Sequence, residues 1–434
     1  MMPRTRTPKV KEFVSPPFIQ CPDCDVEGKF GVLMIAERQY TRRCVNCWFD
    51  KRYPLPPIRK KRIYVDQFVI SNMMKELDPA APAKAKGVKG GFYLTLFEKL
   101  DRLSKLHLIV CPDSPVQDHE SIVDTRYEKL RRVFRQLSHG VSFVRPQQIF
   151  HAQLLCAFRG WHAGAEVNPQ VSSDFALHGN PDSWLDRLRV EMNYKLPGLA
   201  QELRATTAAQ TQRVHEVCQR WVDTPDFDFN RFFEGQLDVL LDAPLIEQSR
   251  FVEKMAAAQK DGRPANLAEL YPPPSVSLVQ HLLAECAETI SDLPGRVARV
   301  REFFTSDAIR TVPFARVSAL FWATLARDVR SGRKPDKFPG GGMFNDVDVV
   351  AAYAPFCDAM FVDKEISHLA HQGELRRELS GSARLFSLRA NEDHQFLAFL
   401  DQIEADASPE HLKLVAEVYG TNWQKPYLEL LAHR

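Results

Sequence analysis

Cys21-x-x-Cys24 and Cys44-x-x-Cys47, with nineteen residues between the pairs, constrain this chain more than any other feature. A segment of roughly thirty-five residues with few apolar positions cannot bury enough surface to fold alone. Two Cys-x-x-Cys knuckles, however, aim four thiolates at one point and close a tetrahedral shell around zinc. Such a shell keeps no open position, so the zinc would organise the fold and take no part in chemistry. The expectation is a small zinc ribbon with Cys21, Cys24, Cys44 and Cys47 as ligands, closed by "YPLPPIRKKR", a Pro-rich then basic linker. "RQYTRR" between the pairs and "RKKR" after them supply cations and an aromatic ring that could contact nucleic acid or form a solvated basic face. The remaining cysteines, Cys111, Cys156, Cys218, Cys286 and Cys357, sit singly in apolar contexts and read as buried thiols of a reducing compartment.

At 434 residues the chain exceeds one ordinary core, so it needs two or three domains, or one domain with a large insertion. Its formal charge of +2 gives no bulk attraction to nucleic acid or membrane, and any binding field must be local. There is no uninterrupted apolar stretch of spanning length. The basic N-terminus (Arg4, Arg6, Lys9, Lys11) leads into Pro16-Pro17, not into a signal-peptide core. These features predict a cytoplasmic protein with no membrane partner.

After the linker the pattern changes. "RIYVDQFVISNMM" predicts a short strand ending at Asp66 and running into a helix, and "HLIVCPDS" predicts a second buried strand. "QDHESIVDTRYEKLRRVFRQLSHG" predicts one helix stopping at Gly140, and "VSFV" a third strand. Strands alternating with helices imply βαβ units and a parallel sheet. After Pro146 the alternation gives way to helical periodicity for nearly two hundred residues, which reads as an all-helical insertion or second lobe. It resumes at "GGGMFNDVDVVAAYAPF", followed by the strand "AMFV", a helix near "ISHLAHQGELRREL", the strand "ARLFSL" and a C-terminal helical tail.

In an open parallel sheet, residues at the carboxyl ends of strands converge on one crevice. Asp66 and Asp363 end strands, Glu120 lies in the helix after the second strand, and Asp346 opens the helix entering "AMFV". Taken singly, each has an ordinary reading: Asp66 as a helix cap, Glu120 as a first-turn acid, Asp346 or Asp348 as an N-cap. Asp358 precedes its strand and reads as structural. Four acids from distant segments sharing one crevice would repel each other unless a hard divalent cation, Mg²⁺ or Mn²⁺, sat among them. Such an ion supports hydrolysis of a phosphodiester. His368 and His371 share a helical face near Asp363, and Arg126, Arg131, Arg132 and Arg135 form a candidate phosphate-binding stripe.

"RIYVDQFVIS", "CPDSPVQDHES", "FNDVDVVAAYAPFCDAMFVD" and "ARLFSL" together resemble the successive acidic segments of PIN-like nuclease domains. The resemblance implies a parallel sheet with an acidic metal pocket. It places Asp66 after the first strand, Glu120 (or Asp118) on the helix after the second, and Asp346 and Asp363 around the fourth, as catalytic and metal-binding residues. It also implies metal-dependent cleavage of RNA or single-stranded DNA, with RNA ranked first. The fold class expected is therefore α/β, with a zinc ribbon and linker at 1–58. The PIN-like domain would occupy 59–150 and 338–405, split by a helical insertion at 151–337, with a helical tail at 406–434. The competing functions are a catalytically inactive nucleic-acid-binding or scaffold protein, and a metal-dependent phosphatase acting on a small molecule.

Overall fold

The computed structural model describes residues 14–78, 91–122, 124, 126–185, 198–260 and 272–421. The first unit is an antiparallel sheet of β1 (Ser15–Ile19), β2 (Phe30–Ile35), β3 (Gln39–Cys44) and β4 (Asp50–Pro54), ordered as in the chain. Its own core is Phe30, Cys21 and Cys44, with Phe49 and Tyr53 packed beside them. That is little apolar material for four strands, in keeping with a unit held by its cysteines.

The second unit is a mixed α/β structure built on a parallel sheet. β5 (Lys61–Val65) pairs with β6 (Ile109–Val110) on one side and with β9 (Ala359–Phe361) on the other, and β9 pairs with β10 (Arg384–Phe386), all parallel. Beyond β6, Asp113 bridges Ser142 of β7 (Ser142–Phe143) in parallel, and β7 carries an antiparallel β8 (Leu177–His178). Counted along the chain, the parallel strands lie in the order 3-2-1-4-5, so the winding reverses between β5 and β9. The predicted strand "VSFV" pairs over two residues only.

Side chains alternate across the sheet as a two-residue period requires. Ile63, Val65, Ala359 and Phe361 pack against helices Gln67–Leu77, Phe92–Lys105, Tyr127–Ser138 and Glu392–Ala405. Tyr64, Met360 and Val362 join the core formed by helices Pro146–His162, Pro313–Arg330 and Met343–Tyr353. That second core is continuous from Tyr64 to Ala383. The described helices between β8 and β9 thus share the sheet's hydrophobic layer. Tyr353 shows the join: its ring stacks on Phe143 at 4.1 Å and its hydroxyl donates to Val144 O at 2.8 Å.

The long helix read from 117 to 140 is two helices, Pro115–Ser121 and Tyr127–Ser138. Ser114 caps the first, its Oγ accepting from the Gln117 N–H, with Pro115 at the first helical position. Glu120 therefore stands in the last turn of a short helix, not in the first turn of a long one. The periodic segment 184–194 and the end of the C-terminal tail fall largely outside the described residues. Among the described residues, no helix is long and apolar enough to cross a membrane.

Helix Pro409–Tyr419 ties the two units together. Arg42, 2 % exposed, donates to Pro17 O at 2.8 Å, to Phe30 O at 3.0 Å and to Glu417 O. Trp184, Leu55, Tyr40, Val415 and Val418 pack in one cluster beside it. Arg42→Ala removes three hydrogen bonds to main-chain carbonyls, that to Phe30 O fully buried, and is expected to cost about 2–4 kcal/mol. Chemical denaturation checks the loss, and amide exchange should show helix Pro409–Tyr419 loosened.

Candidate functional site

The structure contains two groups of convergent ligand-type side chains. In the first, the sulfurs of Cys21, Cys24, Cys44 and Cys47 all lie within 4.8 Å of one another. Cys21 and Cys47 are 3.6 Å apart, and Cys24 and Cys44 3.7 Å. A tetrahedron with Zn–S bonds near 2.3 Å has edges of about 3.8 Å, so the four sulfurs fit a metal such as zinc.

The two knuckles are built alike. The N–H two residues after the first cysteine points at its sulfur, Asp23 to Cys21 at 3.5 Å and Asn46 to Cys44 at 3.3 Å. The residue after the second cysteine has positive φ in both, Asp25 at 57° and Trp48 at 66°. The Val26 N–H, and then the Asn46 amide, lower the Cys24 thiol to about 6. At Cys47 the Phe49 N–H acts in the same direction, but burial and the other three sulfurs push it up to about 12. A divalent cation at the centre would relieve the rise at Cys47, which the neighbouring sulfurs help to cause.

The second group lies where the winding of the parallel sheet reverses, at the carboxyl ends of β5 and β9, the place where open α/β sheets hold ligands. Asp66 follows β5 and caps helix Gln67–Leu77, its Oδ1 accepting from the Gln67 N–H. Asp363 follows β9 and caps helix Lys364–Ala370, its Oδ1 accepting from the Ile366 N–H at 2.7 Å. Capping and membership of the acidic group are thus not alternatives. One cap bond uses one oxygen, and a carboxylate has a second to offer an ion. The two strand ends are themselves joined, with the Asp66 N–H donating to Phe361 O at 3.0 Å.

Glu120 and Asp346 come from the flanks. Glu120 Oε1 accepts from Asn345 Nδ2 at 3.0 Å, so the residue before Asp346 bonds the acid of a helix more than two hundred positions earlier. Asp346 lies in the first turn of helix Met343–Tyr353, whose N-cap is Gly342, so neither Asp346 nor Asp348 caps it.

The charges of the other acids bear on Asp66 and Asp346. Burial, followed by the Glu120 and Asp363 charges, raises Asp66 to about 8. Burial, then Asp66, Asp363, Glu120 and Glu365, holds Asp346 well above the ordinary range. Burial also raises Glu120 against the Asn345 bond, and Asp363 against the Ile366 and Glu365 N–H groups.

Their oxygens are nonetheless more widely spread than the cysteine sulfurs. Among the described residues, only the cysteines bring three or more ligand atoms within 4.8 Å of one another. Unneutralised carboxylates repel, and two of these four are held back by their own helix N–H groups. An ion shared by all four requires side-chain rotation inward.

The other sequence candidates lie elsewhere or have other partners. Asp348, nearly opposite Asp346 around the helix, is raised to about 7 by burial and accepts from Gln147 at 3.3 Å. Asp358, at the entering end of β9, accepts from the Arg62 N–H at 2.9 Å and pairs with Lys61 at 2.8 Å. His368 faces Asp328 at 3.4 Å, and His371 Nδ1 lies 2.7 Å from Ser367 O. In the arginine stripe, Arg126 forks onto Asp124, and Arg131 is buried with its guanidinium over the Tyr127 ring.

Two contributors were not singled out from sequence. Asn345 sits inside "FNDVD", where attention falls on the acids. Glu365 sits inside "VDKE", two residues past Asp363, with Arg333 at 2.6 Å.

An acid raised on folding contributes stability that is intact below its unfolded value, near 4, and lost as pH climbs through its folded value. With Asp66 at about 8, the metal-free protein should lose thermal stability between about pH 5 and pH 8. Mn²⁺ should restore roughly 3–6 °C at pH 8 and less at pH 5, where protons compete. Differential scanning fluorimetry reads this, and a Tm indifferent to Mn²⁺ at every pH would count against a shared ion.

Comparisons with protein-family models, with curated proteins and with solved structures each return no match.

Proposed function

We propose that the chain is a metal-dependent nuclease that hydrolyses phosphodiester bonds of RNA or single-stranded DNA on a PIN-like α/β domain. The observation that carries this reading is the meeting of Asp66, Glu120, Asp346 and Asp363, from four distant segments, at the switch point of the parallel sheet. Structural acids are normally paired with cations. In this group the charges that raise Asp66 and Asp346 are other carboxylates.

The donor set is all oxygen, which suits Mg²⁺ or Mn²⁺. Such an ion would polarise a phosphoryl oxygen and ease deprotonation of water. The chain's own part is positional. The cap bonds fix Asp66 and Asp363 on rigid helix starts, and Asn345 fixes Glu120. Glu365, paired with Arg333, adds a fifth acid at the rim and the cation nearest to it. The cysteine cluster, with no open position, would hold zinc for structure.

The test is cleavage of end-labelled single-stranded RNA and DNA by purified protein with Mn²⁺ or Mg²⁺, with chelator as control. Metal-dependent cleavage of either supports the reading. Tight binding without cleavage favours the binding or scaffold alternative, and turnover of nucleotide monophosphates alone favours the phosphatase.

A further inference from the structure

The cavity beside Glu120 carries an inference that rests on the nuclease reading and identifies what its substrate must present. Helix Leu199–Asp223 belongs to the helical stretch between β8 and β9, yet it packs on the loop that delivers Asp346. The Gly341 N–H donates to Thr211 Oγ1 at 2.9 Å. A Cβ at Gly341 would meet Thr207 O at 2.8 Å and Thr211 N at 2.9 Å, so the close approach depends on glycine.

Between helix and loop lies a cavity of ≈ 320 Å³, with Gln67, Glu120 and Asn345 on the sheet side and Leu203, Thr207 and Gln210 on the helix side. Gln67 is the residue after Asp66 and Asn345 the residue before Asp346. The cavity therefore opens directly beside the acids.

Its size is at the small end of ligand pockets, about 300–1,000 Å³, which suits one nucleotide. A base within a duplex stack could not enter without being extruded. Apart from Glu120 and the imidazole of His119, the lining is uncharged, with three amides, the hydroxyls of Thr206 and Thr207, one leucine and two glycines, and it holds no lysine or arginine. The Thr207 hydroxyl donates to Leu203 O at 3.0 Å and so presents its lone pairs outward. Side-chain amides match the donor and acceptor edges of a base, and the three of them outnumber His119, the one lining group that could become a cation for a phosphate.

We propose that helix Leu199–Asp223 and the Gly341 loop form a nucleobase pocket, in which the Gln210 and Gln67 amides hold one unstacked base beside the phosphodiester presented to the four acids. The substrate is then a single-stranded polynucleotide. Ribose and deoxyribose chains share this chemistry and are separated by the arms of the experiment.

That experiment is fluorescence anisotropy with full-length protein and Ca²⁺ in place of Mn²⁺, using labelled single-stranded RNA, single-stranded DNA, their duplexes and an abasic strand. One or both single strands should bind about tenfold tighter than duplex or abasic strand. Gln210→Leu should weaken that binding about tenfold. Gly341→Ala, which pushes the helix away, should act in the same direction, and circular dichroism confirms that both variants are folded. Equal binding of single strand, duplex and abasic strand overturns the pocket, as does undiminished binding by both folded variants. Hydrolysis of bis(4-nitrophenyl) phosphate by the wild type reports on the catalytic reading separately. A wild type that hydrolyses no diester removes that reading, and the anisotropy still decides the pocket.

Discussion

Asp363→Asn is expected to lower Mn²⁺-dependent cleavage by about 10²–10³-fold, the several kcal/mol that a bound ion supplies to a phosphoryl transition state. The same substitution should leave the protein folded. Asp363 accepts the Ile366 N–H through Oδ1, and asparagine is as good an N-cap as aspartate. Removing the Asp363 charge, which raises Asp66 and Asp346, should even stabilise the metal-free protein above neutral pH. Activity and stability thus move in opposite directions, which a merely disruptive substitution cannot produce. Cleavage assays beside thermal melts at pH 8 read both. Equal cleavage by wild type and variant would falsify the catalytic assignment. Asp66→Asn, also at a cap, is the replicate on the neighbouring strand.

The second large effect concerns the four sulfurs. Cys44→Ser, or stripping the metal from the native protein, should unfold the antiparallel sheet, because its core is chiefly the cysteine cluster with Phe30. Structural zinc in small domains supplies on the order of 10–16 kcal/mol at neutral pH, more than such a sheet can replace. Elemental analysis should find one zinc in the native protein and none in the variant. Amide exchange over 14–58 should then rise to unfolded rates. Native protein lacking zinc, with that sheet still protected, would show that strand pairing suffices. The α/β unit keeps its two cores in either case, but the Arg42 contact with Glu417 is lost.

Much of this organisation is readable in the chain because its signals are local. Cys-x-x-Cys spacing, β-branched runs ending in aspartate, and Pro or Gly at helix ends each act over a few residues, and they locate Cys21, Cys24, Cys44, Cys47, β5, β9 and the acids that follow the strands. Long-range effects are not readable in the same way. Helix Pro146–His162 has the periodicity of any amphipathic helix, and nothing in it tells whether its apolar face meets another helix or the underside of Tyr64 and Met360. What looks like one helix ends at Ser121 and starts again at Tyr127, which moves Glu120 from a first turn to a last. Asn345 escapes notice because an amide acquires meaning only when Glu120 is brought to it from the other end of the chain.

The parallel pairing of β5 with β9 also has a consequence for synthesis. Val65 lies opposite Phe361, almost three hundred positions away, and β9 enters between β5 and β10 in the finished sheet. A ribosome-bound chain that has emerged as far as the Gly341 loop carries Asp66 and Glu120 but has no strand to bring Asp363 beside them. Long-range parallel pairing is among the slower steps of folding. The acidic pocket is thus assembled only after its protein scaffold is nearly complete, and a nascent or broken chain is left without it.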